Sequence, residues 1–172
     1  MLVQFSIYKA NFIIFGYKRS GHHAILEWLI PNRTHYNDST ITKHGFIKSP
    51  PIGNGKDIVV SFEHEYPLNF HWKVSAKKVL VLRHPYNSYA SRLYLKRATG
   101  DNDWVTCLDP SIWIKYAKEF IGETNILACD IKINYDKWFS SSEYRKQFGK
   151  SEPLQVVSKH GNGSSFDGLK YD

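Results

Sequence analysis

The sequence predicts an α/β fold: a three-layer domain with a mainly parallel central sheet and a phosphate-binding strand–loop–helix. Two observations carry this. Short β-branched and aliphatic runs alternate with segments of helical spacing, the pattern of strands buried on both faces and crossed over by helices. The stretch Phe12–Leu29, FIIFGYKRSGHHAILEWL, then sets a glycine-bounded basic loop between one such strand and one such helix. Such an arrangement aims backbone amides and a helix N-terminus at an anion.

Four runs read as buried strands: Asn11–Phe15, Asp57–Phe62, Lys78–Leu82 and Asn125–Ala128. Between them, His22–Leu29 carries Ala24, Ile25, Trp28 and Leu29 at helical spacing. Pro85 suits the first turn of a second helix reaching about Arg97, and Pro110 that of a third through Phe120, with Asp109 as its N-cap. A fourth helix is expected over Ser141–Phe148. Residues 31–56, with Pro31, Pro50, Pro51, Gly53 and Gly55, read as an irregular excursion covering an acceptor site.

The 172 residues suit one domain over 1–172, and 42% hydrophobic with 15% aromatic residues argues against disorder. A net charge of +7 attracts anions without choosing among nucleotide, nucleic acid and acidic glycan. Cys107 and Cys129 have no CxxC partner, so free buried thiols in a reducing, cytoplasmic setting are expected rather than a zinc site or disulfide. No leader-like run precedes the first strand, and no stretch approaches the ~20 apolar residues of a membrane span. A soluble protein is expected.

In the first loop, Gly16 and Gly21 permit a tight turn and close backbone approach to a ligand. Their spacing matches the nucleoside-triphosphate loop GxxxxGK[ST], but His22 and His23 stand where that motif needs its Lys and its magnesium-binding Ser/Thr. Phosphate is expected there, and metal is not. A second motif is VLVLRHPYNSYASRL at 79–93. Arg83 leaves a strand, Pro85 opens a helix, and Ser91 lies about two turns into it, so guanidinium and hydroxyl can meet on one phosphate. Taken alone, Arg83 reads equally well as a solvated strand-end charge and Ser91 as a helix-surface serine.

Together the two motifs resemble the sulfotransferase superfamily that uses 3′-phosphoadenosine-5′-phosphosulfate (PAPS). That family binds the 5′-phosphosulfate with a strand–loop–helix of the type YPKSGTTWL and the 3′-phosphate with a later RxPxxxxxS segment. This chain has Tyr17-Lys18-Arg19-Ser20-Gly21-His22-His23-Ala24-Ile25 and Arg83-His84-Pro85 through Ser91. Lys18 replaces the usual proline, Arg19 the usual lysine, and His22-His23 two threonines. Ile133-Asn134-Tyr135-Asp136 is similar to the family's YED segment, whose Tyr lies near the adenine. Gly161–Gly168, GNGSSFDG, resembles its glycine-rich nucleotide loop, which would put Gly163, Ser164 and Ser165 on the donor. Read without the resemblance, that segment is a flexible tail. The chain ends at Asp172, soon after it, leaving open a lost C-terminal segment.

The resemblance implies transfer of sulfuryl from PAPS, as a co-substrate and without metal, to a hydroxyl or amine acceptor, carbohydrate included. Such chemistry needs charge stabilisation on the leaving phosphate and a base for the acceptor. Arg19 suits the first task as a fixed cation, with Lys18 as a second. For the base, the segment Val59–Glu65 offers Glu63, His64 and Glu65 at a strand end. His64 has an ordinary pKa of ~6.5, and a Glu63 carboxyl lifted by burial would serve equally. In an extended strand Glu63 and Glu65 share a face opposite His64. A metal at His22-His23 is not expected, because adjacent helical residues diverge by about 100° and no third ligand stands at a recognisable spacing; His22 and His23 are instead counted with the donor-binding loop, through phosphate contact by His22 or helix packing by His23. His35, like the other isolated histidines, and Trp104, Trp113, Trp138 and Tyr86–Tyr94 read as ordinary surface or packing residues. The competing readings are a small ATP–magnesium kinase, disfavoured by the missing Lys and Ser/Thr, and a non-catalytic anion-binding module, which explains charge but not motif order. No nucleic-acid partner is expected.

Overall fold

The computed structural model describes residues 5–6, 9–38, 46–47, 51–63, 75–99 and 110–149. In chain order the elements are β1 (Phe5–Ser6), β2 (Phe12–Gly16), α1 (His22–Leu29), β3 (Arg33–Asp38), β4 (Phe46–Ile47), β5 (Asp57–Phe62), β6 (Lys77–Leu82), α2 (Pro85–Thr99), α3 (Pro110–Ile121), β7 (Ile131–Asn134), α4 (Tyr135–Ser140) and α5 (Ser142–Lys146). Five strands form one parallel sheet in the order β3-β5-β2-β6-β7, and β1 pairs antiparallel with β4 in a separate ribbon.

Alternation along the strands makes two cores. Ile13, Phe15, Val60, Phe62, Leu80 and Leu82 pack with Tyr116, Ile112 and Phe120 of α3 on one face. On the other, Ile14, Val59, Val79, Val81 and Ile133 pack with Ala24, Ile25 and Leu26 of α1 and with Trp138 of α4. A fully buried Val, Leu, Ile or Phe among these contributes about 1.5–3 kcal/mol. Helices thus cover both faces of a parallel sheet, the three-layer α/β arrangement that the strand pattern predicts.

Central β2 is in register with β5 (Phe12↔Val59) and with β6 (Gly16↔Val81). The chain leaves β2 for the β3 edge, whereas it leaves β6 for the β7 edge. This places a topological switch point outside the carboxyl ends of β2 and β6, the position at which open α/β sheets bind ligands in a crevice. Among the described residues no helix is long and apolar enough to cross a membrane.

Two expectations are corrected. Residues 31–56 are not irregular throughout, because Arg33–Asp38 pairs with β5 along its whole length, from Arg33↔Asp57 to Asp38↔Phe62. An edge strand is held by its backbone, and the polar run RTHYND concealed it. Asn125–Ala128 is not a strand. The buried Glu119 carboxylate accepts from Ile126 N at 3.0 Å, Leu127 N at 2.8 Å and Thr124 Oγ1 at 2.7 Å, so a sheet partner has no N–H to take. The strand starts instead at Ile131, after Asp130 pairs with the Lys78 backbone. The helix expected at Ser141–Phe148 begins at Ser142, capped by Ser141 Oγ, and ends at Lys146. Ahead of it, α4 follows β7 directly, with Asn134 Oδ1 accepting from Lys137 N at 2.9 Å.

Candidate functional site

The loop between β2 and α1 is shaped by glycine at both ends. A Cβ at Gly16 would lie 2.6 Å from Ser20 Oγ and 3.0 Å from the Val81 carbonyl oxygen. Gly21 has φ +84°, and a Cβ there would overlap the Tyr135 ring. Between them Arg19 sits at φ 69°, a left-handed conformation costing about 1–2 kcal/mol in a non-glycine residue. Ser20 is fully buried and donates its N–H to the Tyr17 carbonyl at 2.9 Å.

Arg92, on α2, holds this loop from beneath. Its Nε and Nη2 donate to the Lys18 carbonyl at 3.2 and 3.1 Å, and its Nη1 donates to Tyr17 Oη at 2.7 Å. The guanidinium also lies 3.8 Å from the Tyr17 ring centroid. Nothing in the spacing around Arg92 distinguished it beforehand; next to Ser91 it reads as an ordinary helix arginine.

The two sequence motifs meet here. Arg19 Nε donates to Ser91 Oγ at 3.0 Å, and Arg83 Nη1 to the Arg19 carbonyl at 3.4 Å. Ser91 and Arg83 are both buried, contrary to a solvated charge and a surface serine. The Arg83 guanidinium lies 4.7 Å from the Tyr135 ring centroid, and its carbonyl accepts from Trp113 Nε1 at 3.0 Å. Asp136 fastens α4 to the start of α2 through His84 N at 2.7 Å and Asn87 Nδ2 at 2.9 Å. The Gly16–Gly21 loop, Arg83, Ser91 and Tyr135 are therefore brought together from three separate segments, whereas His22 and His23 turn to Glu63. Trp138 is core, as expected, whereas Tyr86 is an exposed aromatic at the start of α2.

On the α1 side of the sheet, alternation along β5 carries Glu63 to the same face as Val59, toward His22 and His23. Glu63 Oε1 is 2.6 Å from His22 Nε2 and 3.6 Å from His23 Nε2. The expected divergence of adjacent helical residues does not keep these rings apart, for their centroids are 4.3 Å from each other. His35 of β3, whose role spacing did not reveal, stands 5.2 Å from the His23 ring and shares a 2.8 Å hydrogen bond with Ser61 Oγ.

Burial pushes the Glu63 carboxyl upward, but the adjacent His22 and His23 outweigh it and leave it well below the usual range. The carboxyl expected to be lifted is instead firmly ionised. Burial and the His22 charge lower His23, and burial with the neighbouring histidines pushes His35 down to about 2. The His35 ring is therefore neutral at neutral pH. Cys129 is a free thiol, which burial pushes up to about 12.

His64, Glu65, Trp104, Cys107, the expected N-cap Asp109 and the segment with Gly163, Ser164 and Ser165 lie outside the described residues. No family model, curated protein or solved structure matches the chain.

Proposed function

We propose that the protein is a PAPS-dependent sulfotransferase that moves sulfuryl to a hydroxyl or amine acceptor by in-line displacement. The observation that carries this reading is the Arg19–Ser91 hydrogen bond with Arg83 against the Arg19 carbonyl, which joins a 5′-phosphosulfate-type loop to a 3′-phosphate-type segment. A nucleotide with phosphate at both ends suits that pairing better than a triphosphate.

In this reading the 5′-phosphosulfate lies over the Gly16–Gly21 loop and the N-terminus of α1, while Arg83 and Ser91 take the 3′-phosphate. Tyr135 supports the adenine side. As the acceptor oxygen bonds to sulfur, the bond from sulfur to the 5′-phosphate oxygen breaks. Arg19, with Lys18, stabilises the charge developing on that leaving oxygen. The attacking oxygen becomes strongly acidic during transfer, so even an ionised Glu63 of depressed basicity accepts its proton. His64 is the alternative base. The free thiol of Cys129 fits a reducing, cytoplasmic setting.

Isothermal titration with 3′-phosphoadenosine-5′-phosphate tests the proposal. Micromolar binding, weakened in Arg83→Ala and Ser91→Ala, is expected. No binding, or binding indifferent to both substitutions, would reject it.

A further inference from the structure

We infer that His22, His23 and Glu63 form a binding site for one divalent transition-metal ion of the zinc class. Each residue offers one donor atom, and the three donors lie within 4.8 Å of one another. Zinc bonds of ~2.0–2.1 Å at tetrahedral angles draw neighbouring donors to roughly 3.3 Å apart. The two imidazole nitrogens stand 2.6 and 3.6 Å from Glu63 Oε1, on either side of that value. Small rotations of three side chains are enough to close the set.

The cluster is a close, buried contact that leaves polar atoms without aligned hydrogen bonds. His22 and Glu63 side chains are only 3% and 9% exposed. Despite their close approach, His22 Nε2 and Glu63 Oε1 form no aligned hydrogen bond, and His22 Nδ1 has no hydrogen-bond partner among the described residues. One carboxylate oxygen thus faces two imidazoles at once in a nearly dry pocket, walled by a third ring, His35, which Ser61 holds. Orphaned, converging donors of this kind are costly unless something satisfies them. A cation bound to all three does so.

The donor types select the ion. Two imidazoles and a carboxylate suit zinc, cobalt or iron, whereas magnesium and calcium require oxygen donors. The partial positive charge at the α1 N-terminus opposes a cation, and the Glu63 carboxylate offsets it. Three protein donors leave a coordination position open, as in catalytic rather than structural zinc sites. Resting on the proposed sulfuryl transfer, that position would take the acceptor oxygen and make it more acidic before attack, leaving the second Glu63 oxygen to receive the proton.

The test uses the full chain stripped with a chelator and titrated with Zn²⁺ calorimetrically and with Co²⁺ by visible absorption. Expected are one Zn²⁺ per chain, intense d–d bands of four- or five-coordinate Co²⁺, and affinity lower by more than about 100-fold in His23→Gln and Glu63→Gln. Arg83→Ala should keep the metal while losing the product nucleotide. Absence of the Co²⁺ bands in folded wild-type protein overturns the inference whatever the variants do. So does Zn²⁺ binding that persists in both His23→Gln and Glu63→Gln, since other histidines would then hold it. Nucleotide binding without metal binding rejects this site and leaves the sulfotransferase reading standing; metal without nucleotide does the reverse.

Discussion

Arg92 is the residue on which the loop's position depends. Its guanidinium is nearly inaccessible and well engaged: two donors on the Lys18 carbonyl, one on Tyr17 Oη, and its face on the Tyr17 ring. A buried cation with such contacts is costly to remove, because its partners stay behind unsatisfied. Arg92→Met is expected to lower stability by about 3 kcal/mol in urea unfolding and to weaken product-nucleotide binding, although Arg92 touches no phosphate in the proposed reading. A loss under about 1 kcal/mol with unchanged nucleotide affinity would show that the loop holds itself. Arg83 and Ser91 were legible because strand, proline and helix mark their places. Arg92 was not, since its function lies in reaching a carbonyl and a phenol across 74 and 75 positions of chain. His35 was illegible for the same reason: its partners, Ser61 and His23, come from other elements.

At the scale of elements, the β2–α1 loop and α4 constrain each other. Tyr135 lies so closely over Gly21 that no side chain fits between them, and the positive φ of Gly21 is unfavourable to any other residue. Gly21→Ala should therefore cost about 2–4 kcal/mol from overlap and strain combined. Tyr135→Ala made together with it should recover the overlap but not the strain. The double-mutant cycle, read by thermal unfolding, then gives a coupling of at least about 1 kcal/mol; simple additivity would mean that the ring moves aside freely. This loop was readable because glycines and charges bracket it in one continuous stretch. The edge strand β3 was not, because backbone pairing with β5 needs no aliphatic pattern. Asn125–Ala128 failed for the opposite reason: its apolar pattern suited a strand, but a buried glutamate from α3 had already claimed its amides.

For the molecule as a whole, the proposed site is assembled from segments that diverge on leaving the sheet. The Gly16–Gly21 loop follows β2, Arg83 and Ser91 follow β6, and Tyr135 follows β7, so a nucleotide bound as proposed would bridge the middle and one edge of the five-stranded sheet. A ligand that ties together elements on both sides of a topological switch stabilises the entire fold rather than one loop. Product nucleotide at about 100 times its Kd should raise unfolding free energy by about 2.7 kcal/mol, or roughly 5–10 °C in Tm for a chain of this size. The net charge of +7 would also let polyanions stabilise the protein, and salt separates the two effects. Attraction to an exposed basic surface fades as the Debye length shrinks toward ~3 Å at 1 M. Arg83 is 4% exposed and Ser91 fully buried, so a phosphate seated on them is screened much less. A Tm shift from 3′-phosphoadenosine-5′-phosphate should accordingly survive salt that abolishes the shift from heparin. Equal loss of both would assign the basic charge, not the assembled site, as the source of binding.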